Sequence, residues 1–142
     1  MFFNEITLGF TVETKAIEVR EDAMIDFALQ YDRIPLHTDK DYAKKTMFGD
    51  LIASGFYSAL LVYGEYTAIH QWEGLIAGNM TKFSFQKPVY AGDWLRGVIS
   101  VTKLTPLDPS RGVIEETMEV FNQNGVLVVH SCSDKFIKTR QT

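Results

Sequence analysis

The chain has 142 residues, of which 46% are hydrophobic and 23% charged, and its formal net charge is −4. This size and balance are typical of one domain with one hydrophobic core, so we expect a single domain over residues 1–142. The mild negative charge and the absence of a run of Lys and Arg argue against a nucleic-acid surface.

The N-terminal half predicts one short strand and one amphipathic helix, followed by an irregular segment. The first residues have no basic stretch before their apolar side chains, which is not typical of a secretory signal, and Cys132 is the only cysteine. We therefore expect a cytoplasmic protein without disulfides. Residues 14–20 alternate in part and predict a strand, and residues 22–31 predict a helix. Residues 32–50 are expected to be irregular except for a short helix over 39–45 capped by Thr38.

The rest of the chain predicts an apolar helix and then strands only. Residues 51–69 are apolar enough to resemble a membrane span, but they contain Glu65 and lack basic flanks. We expect instead a helix over about 54–69, buried nearly all round in a soluble domain and not in a membrane. A loop is expected over 70–79, with strands over 80–86, 94–104, 113–121 and 126–138 and turns at 87–93, 106–112 and 122–125. Short connections favour antiparallel pairing, so the sequence predicts an α+β fold, with a four- or five-stranded antiparallel sheet around one long buried helix.

Asp32 stands where local preferences disfavour a carboxylate. It falls at the end of the helix over residues 22–31, where the helix dipole is negative, and Pro35 then prevents the helix from continuing toward His37. Such breaks without structural gain are most expected at functional sites. The residues alone leave an alternative open, in which Asp32 simply ends the helix and His37 lies on a surface loop.

Four short motifs together resemble the MaoC-like dehydratases, a family with the hot-dog fold that includes the (R)-specific enoyl-CoA hydratases. They are Asp32-x-x-Pro35-x-His37-x-Asp39, Phe48-Gly49, Ile52-Ala53-Ser54-Gly55 and Lys87-Pro88-Val89-x-x-Gly92-Asp93. The resemblance covers about residues 15–138. Many hydratases of the family have Asn where this chain has Ile34 and His where it has Ser54. The Ala-Ser-Gly version resembles a subgroup that is less clearly tied to one substrate.

The resemblance implies an acid–base reaction on an acyl thioester. Asp32 and His37 would hold a water molecule and add it to a 2-enoyl-CoA, or run the reverse dehydration of a 3-hydroxyacyl-CoA in fatty acid metabolism. The amide of Gly55 would bind the thioester carbonyl, which agrees with the unpaired N–H groups and positive partial charge at a helix N-terminus. Ser54 is interpreted as an ordinary N-cap of that helix. Ser58 is left outside the site, because a helical serine more often bonds back to a carbonyl.

The same resemblance implies a homodimer that needs no cofactor beyond the coenzyme A of its substrate. The phosphates of coenzyme A would contact Lys87, Arg96 or Arg111, and the sequence does not show which of the three. No metal site is expected, because the remaining histidines have no metal-ligand spacing.

Two rival functions stay open at this stage. A hot-dog acyl-CoA thioesterase would release thiol, whereas a hydratase would remove the absorbance of the enoyl group. A non-catalytic acyl-thioester-binding subunit would bind acyl-CoA without turnover, and the departures at Ile34 and Ser54 are its main support.

Overall fold

The computed structural model describes residues 1–142 and contains one short 3-10 helix (Phe3–Glu5), four α-helices and six strands. The helices are α1 (Glu21–Tyr31), α2 (Pro35–Thr38), α3 (Lys40–Lys44) and α4 (Gly55–Ile69). The strands are β1 (Thr11–Glu13), β2 (Ile17–Glu18), β3 (Leu75–Phe85), β4 (Trp94–Asp108), β5 (Arg111–Phe121) and β6 (Leu127–Lys138).

The strands form one antiparallel sheet, in the order β1–β4–β5–β6–β3, and β2 also pairs with β4. Along β5 every second residue from Gly112 to Val120 is buried, and most of the residues between them are partly exposed. This period of two places one face of the sheet against the core, as expected for an antiparallel sheet that is solvated on its other face. The hot-dog fold predicted from the sequence is confirmed.

Helix α4 packs against the sheet through one face. An ideal Cβ at Gly97 of β4 would lie 2.4 Å from Cγ1 of Val62, so the helix approaches the strand where a side chain is missing. The opposite face carries apolar side chains that are half exposed, including Phe56 at 47% and Leu60 at 49%. The prediction of burial nearly all round was therefore wrong, because the sheet of one chain covers only one side of the helix. None of the helices has the length and apolar composition that crossing a membrane requires.

Several predicted boundaries were wrong for a shared reason. Of the strand expected over 14–20 only Ile17–Glu18 is paired, as β2, and β1 lies before that range at Thr11–Glu13, which raises the number of strands to six. The loop expected over 70–79 already belongs to β3 from Leu75, which pairs with Ile137 of β6. The turn expected over 106–112 shrinks to residues 109 and 110, because the ladder between β4 and β5 continues through Pro106 and Gly112. Pairing with a neighbouring strand overrides local turn preference, and the sequence does not show that neighbour.

The short helix expected over 39–45 is present as α3, but Thr38 does not cap it. Asp39 is the N-cap, and its Oδ1 accepts a hydrogen bond from the backbone N–H of Tyr42 at 3.1 Å. Thr38 belongs to α2 instead, where its hydroxyl donates to the carbonyl oxygen of Ile34 at 3.4 Å.

Candidate active site

The break between α1 and α2 brings His37 back toward Asp32. The backbone N–H of Asp32 still donates to the carbonyl oxygen of Ala28 at 2.9 Å, so Asp32 is the last residue held by α1. Ile34 is extended, with φ −67° and ψ 133°, and Pro35 is the first residue of α2. A proline is tolerated at this first helical position because its N–H would be unpaired there in any case. The chain therefore turns within five residues and places His37 in α2.

Asp32 and His37 face each other, and both are mostly buried. Nε2 of His37 lies 3.5 Å from Oδ2 of Asp32, and the two side chains are 10% and 18% exposed. Nδ1 of His37 lies 2.8 Å from the carbonyl oxygen of Ile52. A carbonyl only accepts, so Nδ1 donates in this contact and Nε2 is the ring nitrogen that faces Asp32. The arrangement places Nε2 and the carboxyl group where both can contact one water molecule.

Ser54 holds Asp32 rather than capping α4. Its hydroxyl donates to Oδ2 of Asp32 at 2.7 Å, its side chain makes no cap hydrogen bond, and the residue is fully buried. Ser54 is the N-cap residue of α4 by position, as predicted, but the capping hydrogen bond expected of its side chain is absent. A carboxylate is a stronger acceptor than a neutral group, which favours this geometry over capping. The only sequence signal for it was that Ser54 stands where many hydratases have a polar histidine.

The N-terminus of α4 offers an unpaired donor beside this pair. The first hydrogen bond inside α4 runs from the N–H of Ser58 to the carbonyl of Ser54 at 3.1 Å, and the N–H of Gly55 has no acceptor in the chain. An ideal Cβ at Gly55 would lie 2.4 Å from Cδ1 of Phe85. The missing side chain of Gly55 thus accommodates the ring of Phe85, while its N–H stays free.

Backbone hydrogen bonds fix the segment that carries these groups. The N–H of Ile52 donates to the carbonyl of Leu36 in α2 at 3.3 Å, and the N–H of Ala53 donates to the carbonyl of Val89 at 2.8 Å. The segment is therefore tied on one side to the helix that bears His37 and on the other to the turn before β4. Such fixation keeps the pair and the start of α4 in register.

Asp32, His37 and Gly55 line the same cavity, which has a volume of about 470 Å³. Most of its wall is apolar and includes Phe56, Phe85, Val89, Val128 and Val129. Ile34, which stands where many MaoC-like hydratases have Asn, also lines the cavity, and its side chain adds no polar atom. An apolar cavity with a few converging polar groups is the usual form of a small-molecule site.

Of the three cations considered for coenzyme A, Lys87 lines this cavity, whereas the two arginines do not. The guanidinium of Arg96 lies 4.9 Å from the ring centroid of Phe121, and Arg111 pairs with Asp108 at 3.2 Å.

A second, separate cavity of about 250 Å³ lies beside a buried ion pair. Lys135 pairs with Glu116, which also accepts a 2.8 Å hydrogen bond from the hydroxyl of Tyr66. Burial acts to lower the pKa of Lys135, but the charge of Glu116 and the hydrogen bonds to Glu116 and Tyr63 together outweigh it, and the pKa is raised. Burial raises the pKa of Tyr66, and the neighbouring carboxylate adds to this effect. These residues contact none of the groups around Asp32 and form a structural network of their own.

Comparison with known proteins identifies relatives of the chain. The family model "MaoC like domain" matches residues 4–123. The chain is 29% identical over 107 residues to a 3-hydroxybutyryl-CoA dehydratase from Methylorubrum extorquens. The aligned region covers 75% of this chain and 67% of that protein. It is 29% identical over 105 residues to an (R)-specific enoyl-CoA hydratase from Rhodospirillum rubrum, with 74% and 72% covered. It is also 29% identical over 130 residues to the uncharacterized protein YdeM from Bacillus subtilis, with 90% and 92% covered.

Among solved structures, the chain is similar to a monoamine oxidase regulatory protein from Archaeoglobus fulgius. The TM-score is 0.93 and the sequence identity 31%, with 99% of this chain and 96% of that chain covered. The similarity therefore extends over the whole fold, including the segment that carries Asp32 and His37.

Proposed function

The chain belongs to the MaoC-like domain family, and from that premise we propose that it adds water to a 2-enoyl-CoA or removes water from a 3-hydroxyacyl-CoA. One observation carries the proposal. Nε2 of His37 and Oδ2 of Asp32 are 3.5 Å apart and line the same cavity as Gly55, whose N–H is free. We take residues 1–142 as a single domain that contains the whole site.

In this proposal Gly55 binds the thioester carbonyl. Its unpaired N–H lies at the positive end of α4, where a developing negative charge is stabilised. Hydration of the double bond places negative charge on the carbonyl oxygen as the β-carbon is attacked. A donor already in place for that charge needs no reorganisation during the reaction.

Asp32 and His37 are the catalytic pair. One water molecule donates to the carboxylate and to Nε2 and directs its oxygen at the β-carbon. The carbon–oxygen bond forms, the pair takes one proton from the water, and the α-carbon receives one proton from the pair. The product is a 3-hydroxyacyl thioester, and the reverse sequence is the dehydration. Positioned acid–base groups of this kind typically contribute about 10²–10⁴-fold each.

Lys87 is the residue that we propose for the coenzyme A end of the substrate, since it lines the cavity. The thioester itself acidifies the α-position, so the proposed reaction needs no metal and no redox cofactor.

The test is a panel of enoyl-CoAs, from short to long and branched, followed by loss of enoyl absorbance. Asp32→Asn and His37→Gln are expected to lower kcat by about 10²–10⁴-fold without unfolding the chain. Asp41→Asn and His130→Gln are matched controls, because both residues lie outside the cavity. Full activity in either site variant would refute the catalytic roles.

The same panel separates the rival functions. Thiol release from saturated acyl-CoA without hydration would identify a thioesterase. Binding of acyl-CoA with no turnover of any chain length would identify a binding subunit.

We further propose that two copies form a homodimer through the open edge of β3. This strand has β6 as its only neighbour, and its side chains Leu75, Ile76 and Met80 are 49%, 43% and 57% exposed. An exposed apolar edge of this length is a pairing surface unless it is covered. Light scattering after gel filtration is expected to give twice the chain mass, and Ile76→Lys is expected to shift it toward one chain. A monomeric wild type would refute the proposal.

A further inference from the structure

Ser58 carries a buried hydroxyl that nothing in the chain satisfies. The residue is 1% exposed and lines the main cavity. Its Oγ has no hydrogen-bond partner. Buried polar atoms are almost always paired, so an unpaired one requires an explanation.

The usual local explanation does not apply to Ser58. A serine inside a helix commonly donates back to the carbonyl four residues earlier, which here belongs to Ser54. That carbonyl accepts the backbone N–H of Ser58 at 3.1 Å, and the hydroxyl makes no bond to it. An alanine would fill the same place without leaving a polar atom unpaired. The unpaired hydroxyl therefore lowers the stability of the free protein, and a hydrogen bond to a bound ligand would compensate for this loss.

The direction of the side chain points to the carbonyl of a bound thioester. Side chains of a helix tilt toward its N-terminus, so Ser58 covers the turn that begins at Ser54 and Gly55. The free N–H of Gly55 belongs to that turn. A carbonyl oxygen has two lone pairs and accepts from an N–H and an O–H together, as in sites that stabilise an oxyanion with two donors.

We propose that Ser58 is a further substrate-binding residue, whose hydroxyl donates to the thioester carbonyl oxygen beside the N–H of Gly55. The inference rests on the proposed function, because it places the acyl thioester in the main cavity. It adds a second hydrogen-bond donor to the thioester carbonyl. Binding of that carbonyl would then depend on Ser58, whereas binding of the acyl chain would not. It also predicts that removing the hydroxyl improves folding and weakens binding, whereas a structural serine would lose stability.

A pair of inert ligands tests the inference without turnover. Butyryl-CoA has the thioester carbonyl but no double bond, and S-butyl-CoA replaces the carbonyl by a methylene group. Dissociation constants are measured by calorimetry for the wild type, Ser58→Ala and Ser58→Thr. Ser131→Ala is the control, since it removes another buried hydroxyl outside this cavity.

Ser58→Ala is expected to weaken butyryl-CoA about two- to tenfold, as for one hydrogen bond to a neutral acceptor, and to leave S-butyl-CoA unchanged. Its urea midpoint is expected to equal or exceed that of the wild type. Ser58→Thr, which keeps the hydroxyl, is expected to retain the preference for butyryl-CoA. Unchanged binding of both ligands, or equal weakening of both, would overturn the inference.

The outcome is distinguishable from that of the proposed function. A wild type that hydrates enoyl-CoA while Ser58→Ala binds butyryl-CoA normally refutes the inference alone. A wild type that binds butyryl-CoA through Ser58 but hydrates nothing refutes the proposed reaction alone. A wild type that binds neither ligand refutes both.

Discussion

The free N–H of Gly55 can be deleted without changing the helix that carries it. Gly55 is the first residue of α4, a position where proline is tolerated. Ser54 before it has φ −53° and ψ 135°, which is the extended geometry that a residue preceding proline adopts. Gly55→Pro therefore removes one donor and no intrahelical hydrogen bond.

The ring of Phe85 must be removed first. A Cβ at position 55 would lie 2.4 Å from Cδ1 of Phe85. Substituting Gly55 alone would therefore displace the ring, and the effect of this displacement could not be separated from loss of the N–H. In a Phe85→Ala background, Gly55→Ala and Gly55→Pro both gain a Cβ, and only the proline lacks the N–H. The comparison between these two variants isolates the donor.

The expected difference is large. Loss of one preorganised donor to a developing oxyanion costs about 2.7–4 kcal/mol, or about 10²–10³-fold in kcat. Gly55→Ala in the Phe85→Ala background is expected to stay within a few fold of that background. The assay is the initial rate of loss of enoyl absorbance, with urea unfolding to show that each variant is folded. Equal kcat for the alanine and proline variants would refute the role of the Gly55 N–H.

Three further predictions concern other contacts. Ser54→Ala removes a charge-assisted hydrogen bond to Asp32 worth about 1.5–3 kcal/mol and is expected to lower kcat/KM about 10- to 150-fold. The same substitution is expected to have little further effect in the Asp32→Asn variant. Additive losses in the double variant would contradict a role of Ser54 through Asp32. Glu116→Leu leaves the buried Lys135 without its partner and is expected to lower the free energy of unfolding by about 3–5 kcal/mol. Adding Lys135→Met is expected to restore most of that loss in urea titrations, and a double variant no more stable than Glu116→Leu would contradict this. Burial lowers the pKa of His70, so the unfolded chain binds the proton more readily and stability is lost as the pH falls below about 6.5. His70→Phe is expected to reduce the fall of the urea midpoint between pH 7 and pH 5. An unchanged dependence of the midpoint on pH would exclude His70 as its cause.

Features that depend on neighbouring residues were accessible to sequence reasoning. The helix that ends at Asp32 and the proline that stops it are coded within a few positions. The proximity of Asp32 and His37 was implied by the resemblance of their motif to the MaoC-like dehydratases, because the residues alone left His37 on a surface loop as an alternative. The strands expected over 113–121 and 126–138, with the short turn between them, were equally predicted and are present as the antiparallel pair of β5 and β6. The boundaries of β3 and β4 were missed because partner strands extend them beyond their local preferences.

The residue patterns thus predicted an antiparallel sheet and an apolar helix, and the resemblance of the motifs implied the hot-dog fold and the pairing of Asp32 with His37. Only the tertiary structure decided what supports that pair. Ser54 meets Asp32 across 22 residues of chain, and Phe85 of β3 fills the space beside Gly55 of α4. It also revealed the unpaired hydroxyl of Ser58. Local patterns report the preference of each segment, whereas these contacts depend on which faces of distant segments pack together, and no short stretch of sequence carries that information.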